Sequence, residues 1–228
     1  MKNQGLFTII YMVILATDLV CSNVESLRPF RVITKPSVIS SLFFFFLYNS
    51  GHLVKQQRNF MLAALVFFFL GDLFFLNYYD NLFFMIGFGF FFLAYLMYVF
   101  AFQFNISYHL GRLVILSVII MIYAFWFLKK TLMGLGDYFI PIIIFMVVIF
   151  SSLQSAFFRW NQVPQKSFYL VFVGALIYLG TQTLIAYNKF VGPVPYENFF
   201  TMFTYGIAQY CIVIGILIQQ RRPVEFDQ

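Results

Sequence analysis

The sequence predicts an all-α membrane protein, eight transmembrane helices in one bundle, and three observations carry that expectation. Of its 228 residues, 62% are hydrophobic and only 10% charged, with a mean hydropathy of +0.88. Such a chain lacks the polar surface that a water-soluble domain needs to cover its core. Its apolar residues fall into repeated runs near the length of about 20 that a helix needs to cross a bilayer. The stretches between runs are short and show no shift of composition, so residues 1–228 are expected to form a single transmembrane domain.

The first run, 5–20, follows Lys2 and resembles a secretory leader. However, Ala16-Thr17-Asp18-Leu19-Val20-Cys21 lacks a small-x-small cleavage site and carries an acid, so a retained span is expected. The second run, 33–48, is short and begins at Lys35-Pro36. The third, 60–76, contains Asp72, and the fourth, fifth and sixth cover 82–102, 110–128 and 139–157. The seventh and eighth cover 168–187 and 199–218. Much of the 35 Phe and 15 Tyr is explained by lipid-facing surface and interfacial anchoring. Eight spans put both termini on one side. Lys2, Lys55, Arg58, Arg112, Arg159, Lys166, Arg221 and Arg222 fall there, against Arg28, Arg31, Lys35, Lys129, Lys130 and Lys189 opposite. The excess of bases predicts cytoplasmic termini. Phe-rich composition and compact loops suggest a bacterial inner membrane.

Several function classes are excluded by what the chain lacks. Cys21 and Cys211 form no recognisable pair, and His52 and His109 fall in predicted loops, so no metal site is expected. There is no Gly-rich phosphate loop, serine nucleophile elbow or paired-histidine helix, and no cofactor is implied. The bases, although they give a net charge of +6, are too scattered for nucleic acid. Anionic headgroups suit them better.

What remains is a set of polar residues inside apolar runs. A carboxylate at the bilayer centre costs roughly 2.5–3.5 kcal/mol on insertion scales, so it usually faces a polar interior and marks a site. Asp72 is such a residue. The topology places Asp72 near the far end of the third span, Asp18 near the end of the first and Lys35 near the start of the second. Gln182 lies near the end of the seventh, with Tyr95 and Gln209 closer to mid-depth. All six fall in the half of the bilayer opposite the termini, where a cavity is expected. Each also has a plainer reading. Asp72, beside Gly71, could serve helix packing; Asp18 could snorkel to water; Lys35 could be an interfacial lysine. Gln182 and Gln209 could be interhelical hydrogen-bond partners, and Tyr95 could pack with its hydroxyl bonded to a neighbouring helix.

Six fragments, in order along nearly the whole chain, resemble the YhhN-like lysoplasmalogenases, which are eight-span membrane proteins. Thr34-Lys35-Pro36 opens the second span and Gly71-Asp72 lies in the third. The stretch from Phe84 to Tyr98, with Gly87, Phe91 and Ala94, is similar to the family pattern F-x-x-G-x-x-x-F-x-x-A-H-x-x-Y. Gly174-Ala175-Leu176-Ile177-Tyr178-Leu179-Gly180-Thr181-Gln182 resembles G-A-x-x-F-x-x-S-D. Asn188-Lys189-Phe190 with Pro193-Val194-Pro195-Tyr196 follows, and Thr204-Tyr205-Gly206-Ile207-Ala208-Gln209 is similar to T-Y-x-x-A-Q.

The resemblance implies hydrolysis of the vinyl-ether bond of an alkenyl lysophospholipid, with a membrane lipid as partner. Protonation followed by attack of water on an oxocarbenium-like carbon suits paired carboxyl groups. Here the family's Ser-Asp is Thr181-Gln182 and its His is Tyr95, so the second carboxylate is replaced by an amide that cannot trade a proton. The candidate set is therefore Asp72, Gln182 and Asp18 for catalysis, Asp18 standing in for the missing acid. Lys35, Tyr95, Tyr98, Tyr205 and Gln209 are expected around the substrate, with Lys35 on its phosphate. Two other readings stay open: a lysolipid-binding protein that kept the pocket without the reaction, and a small transporter or proton pathway centred on Asp72, although no internal repeat accompanies it.

Overall fold

The computed structural model describes residues 3–77 and 80–219 and is helical, with no strand among them. Eight α-helices follow in order: α1 (Gln4–Asn23), α2 (Arg31–Asn49), α3 (Lys55–Phe74), α4 (Asn81–Gln103), α5 (Leu110–Leu135), α6 (Phe139–Phe158), α7 (Gln165–Phe190) and α8 (Glu197–Leu217). Seven helical stretches are long and apolar enough to cross a membrane, as in an integral membrane protein. Seven are counted rather than eight because α5 and α6 form one stretch, Leu110–Phe158, separated only by the short 3-10 turn Gly136–Tyr138. Gly136 supplies the left-handed φ of 46° at which the chain breaks there. The two helices then fold back on each other. Arg112, at the start of α5, donates to the carbonyls of Phe158 and Trp160 at the end of α6.

Local chemistry explains the helix ends. The Asp80 carboxylate caps α4 by accepting from the backbone N–H of Leu82 and Phe83, at 2.8 and 3.2 Å. α2 begins at Arg31, two residues before its expected start, because the 3-10 turn Glu25–Phe30 leads straight into it. Pro36 therefore lies inside the helix rather than at its mouth. Its ring nitrogen cannot donate to the Val32 carbonyl one turn back, which frees that carbonyl.

α8 is the central helix, more of it buried inside the bundle than of any other membrane-length stretch. It packs along α7 and against α1 and α2, while α3 pairs with α4. Gly206 lets α1 come close, since a Cβ there would stand 2.5 Å from Leu15. Beside it Tyr11 of α1 donates to the Gly206 carbonyl at 2.7 Å. The C-terminal carbonyls of α8, which have no helical donors of their own, are met from outside. Ser167 donates to Gly215 at 2.6 Å and a ring nitrogen of His52 lies 2.9 Å from the Leu217 oxygen. Arg159, fully buried, donates to Ser167 at 2.7 Å and to Gln219 at 3.0 Å. Lys2, Arg221 and Arg222, counted above among the orienting bases, lie outside the described residues.

Candidate active site

Three helices meet at Asp72. It lies in the last turn of α3, 2% exposed, next to Gly71, which is also buried. Tyr205 of α8 donates to its Oδ2 at 2.6 Å, and Lys35 of α2 holds its Nζ 3.7 Å from Oδ1. Both carboxylate oxygens thus face a donor. The side chain of Lys35 is 13% exposed and its ammonium lies 5.9 Å from the centre of the Phe75 ring.

These three side chains line a cavity of about 280 Å³ that also takes in Arg28, Arg31, Val32, Thr181, Gln182, Glu197 and Thr201. Arg28 is exposed, Arg31 and Lys35 are half-buried and Asp72 is buried, which runs the cavity from an outer mouth to an inner floor. Glu197 opens α8 on the opposite wall, where Thr201 donates to it at 3.4 Å. Three cations and two carboxylates therefore share one concavity of otherwise apolar helices. Among the described residues no group of three His, Cys, Asp or Glu gathers to hold a metal ion.

Asp18 does not line this cavity and does not snorkel to water: it is fully buried. The reason is local. Thr34 donates to its Oδ1 at 2.5 Å and Arg31 Nε stands 4.0 Å from the same oxygen, so α2 brings two polar groups to the end of α1. Thr34 and Lys35 thus turn in succession to the acids of α1 and α3.

Tyr95, Tyr98 and Gln209 also lie away from the cavity lining, in an aromatic core built on Phe68. The rings of Tyr95, Tyr98, Tyr178 and Tyr205 surround Phe68 at centroid distances of 5.7, 5.0, 5.5 and 6.5 Å. Tyr98 donates to Gln209 Oε1 at 2.5 Å, the interhelical bond expected of Gln209. Tyr95 makes no such bond; its buried hydroxyl faces Gln182 and Tyr178 without reaching hydrogen-bond geometry with either. The two positions at which the chain departs from the family pattern, 95 and 182, therefore face each other as a neutral pair.

Arg28, Arg31 and Glu197 were not among the sequence-predicted site residues. The signal for the first two is their spacing: Arg28, Arg31 and Lys35 stand three and four apart, one face of a helix. A span that begins at 33 leaves both arginines ahead of it, in a connecting loop.

A second, apolar pocket of about 50 Å³ lies among α4, α5, α6 and α7 and is walled by Phe88, Tyr123, Phe145, Met146 and Ala186. Phe75, Gln182 and Ile185 belong to both spaces.

A model of the YhhN family matches residues 30–216 of the chain. Human lysoplasmalogenase TMEM86A is 36% identical over 73 residues, which make up 32% of this chain and 28% of that protein. Bovine lysoplasmalogenase TMEM86A is 29% identical over 164 residues, 68% of this chain and 64% of that protein. The chain thus covers less than two thirds of the length of either relative. No solved structure matches it.

Proposed function

Because the chain belongs to the YhhN family, whose model covers residues 30–216, we propose that the protein is a lysoplasmalogenase-type hydrolase acting on alkenyl lysophospholipids. The observation that carries this reading is the grip of Lys35 and Tyr205 on Asp72 at the floor of a charged cavity.

Hydrolysis of a vinyl ether begins with a proton on the alkenyl carbon remote from oxygen, which leaves the positive charge on the carbon bonded to oxygen. Water adds to that carbon, and the hemiacetal breaks into an aldehyde and a free glycerol hydroxyl. Asp72, with a donor at each oxygen, is arranged as the carboxylate that faces the cation and takes a proton from the attacking water. Lys35 supplies the first proton and recovers one from Asp72 across their 3.7 Å separation, so the pair is reset after each turnover. Tyr205 positions Asp72, and the Gln182 amide on the same wall orients water. The substrate phosphate passes from Lys35, its expected partner, to Arg28 and Arg31 nearer the mouth. Glu197 meets a headgroup amine. Asp18 acts by holding Arg31, and Tyr95, Tyr98 and Gln209 brace the floor from behind.

The same proposal takes the hairpin of α5 and α6 as two crossings, which makes eight spans in a single 1–228 domain and puts both termini on one side. The balance of bases supports cytoplasmic termini, and the composition supports a bacterial inner membrane.

A second reading, a lysolipid-binding protein without the reaction, is favoured by the neutral Tyr95–Gln182 pair. Aldehyde release from an alkenyl lysophosphoethanolamine, by the purified protein beside its Asp72→Asn variant, decides between them. Release that disappears in the variant is the expected result. No release, with binding of the non-hydrolysable alkyl analogue intact, establishes the second reading, and loss of both removes the lipid reading altogether.

A further inference from the structure

We propose that the apolar pocket among α4, α5, α6 and α7 is the seat of the first few methylenes of the lipid chain. This rests on the polar cavity being the headgroup and ether site. In an alkenyl lysophospholipid the reacting bond joins head and chain, so a bond held at Asp72 obliges the chain to leave through a wall of that cavity. The wall that borders apolar space is formed by Phe75, Gln182 and Ile185, the residues shared by both compartments. Beyond them the lining is mostly aromatic and aliphatic, Phe88, Phe145, Met146 and Ala186 among it, with Thr183 and Lys189 as its polar members. Ala186 is the small residue that leaves the slot open.

Size sets what the pocket takes. A water molecule needs about 10–15 Å³ of such volume. The pocket's roughly 50 Å³ therefore admits about four water-sized groups, a short run of methylenes and not a whole chain. The bond between Tyr123 of α5 and Thr183 of α7 ties the outer helix over this slot. The boundary between compartments is marked by one amide, Gln182, which suits the ether oxygen where polar head meets hydrocarbon.

The test is photo-crosslinking of the full-length protein in lipid nanodiscs with a 1-O-alkyl lysophosphoethanolamine, which cannot be hydrolysed. One probe carries a diazirine at the fourth chain carbon, its isomer near the chain end. The near probe is expected to label peptides containing Phe88, Met146 or Ala186, and the far probe to label them at least tenfold less. Ala186→Trp, checked for folding by its thermal melt, is expected to abolish the near label. Labelling of Val32 instead, lost in Arg31→Ala, would overturn the pocket while keeping the headgroup site. Label that is indifferent to Arg31→Ala would overturn the headgroup reading and this one with it. The wild-type map decides even if Ala186→Trp does not fold.

Discussion

Replacing Asp72 by Asn tests whether the Lys35–Asp72 pair is a structural bridge, a reacting pair or both. Asn keeps the shape of the side chain and can still accept from Tyr205, so the change removes chiefly the charge. At 3.7 Å, and an effective dielectric of about 20, the pair attracts by about 4 kcal/mol. Breaking a buried pair on one side costs roughly 3–5 kcal/mol, because the survivor is left without its counter-charge. Lys35 reaches the cavity with 13% of its side chain, so the lower figure, about 3 kcal/mol, is expected for Asp72→Asn and for Lys35→Met alike. In Lys35→Met with Asp72→Asn no charge is stranded, and the double variant should be no less stable than either single one. The assay is a double-mutant cycle of thermal and denaturant unfolding in one detergent, with aldehyde release measured on the same preparations. Stability should return in the double variant while hydrolysis stays down by about 10²–10⁴ in all three. Two results would refute the reasoning. Losses of stability that add to within about 0.5 kcal/mol would show that the two groups are not coupled. Hydrolysis surviving in the double variant would show that neither reacts.

The remaining predictions concern single places in the site and the scaffold. Gln182→Asp alone should change aldehyde release little, because Tyr95 opposite it offers no charge partner, whereas Tyr95→His with Gln182→Asp should raise it by about 10² or more. Equal activity in the single and double variants would show that the positions act separately. Glu197→Gln should raise KM several-fold for an ethanolamine alkenyl lysolipid and leave kcat unchanged, with no effect on the corresponding lysophosphatidate, which has no amine. Arg159→Ala should lose roughly 3 kcal/mol of stability, the worth of its hydrogen bonds to Ser167 and Gln219, while aldehyde release at low temperature stays at the wild-type rate. Gly206→Ala should destabilise by about 1–3 kcal/mol, read by thermal melting, because the added methyl meets Leu15 at 2.5 Å.

Depth along the helices was legible in the sequence, and rotation about them was not. Counting from the ends of apolar runs is enough to bring Asp72, Lys35 and Gln182 to one level, since each residue advances a helix by about 1.5 Å. Tyr205, which the resemblance implies near the substrate, lies on the cavity wall and donates to Asp72. Tyr98 and Gln209 show the limit: both lie on the helices expected, but they turn to the aromatic core around Phe68 instead of the cavity. An amphipathic stripe would normally reveal the face of a helix, yet α4 is apolar all round, so its sequence carries no such stripe. Asp18, buried and off the cavity lining, is a different case. Its burial depends on Thr34 and Arg31 reaching it from the next helix, and a span assumed to start at 33 leaves Arg31 outside. Glu197 is likewise invisible as a site residue until α8 is seen to start there, against a cavity wall.

On the proposed reading, the wall of Phe75, Gln182 and Ile185 between a charged chamber and an oily one also bears on where the products go. Cleavage at that partition yields two products with no common solvent. A glycerophosphate headgroup departs to the aqueous side past Arg31 and Arg28, while the long aldehyde dissolves in the bilayer. Each product is diluted into its own phase as soon as it forms, so the fragments rarely meet again on the protein. A single layer of three side chains would then sort the two products at the moment of cleavage, the head toward the aqueous mouth and the aldehyde toward the bilayer.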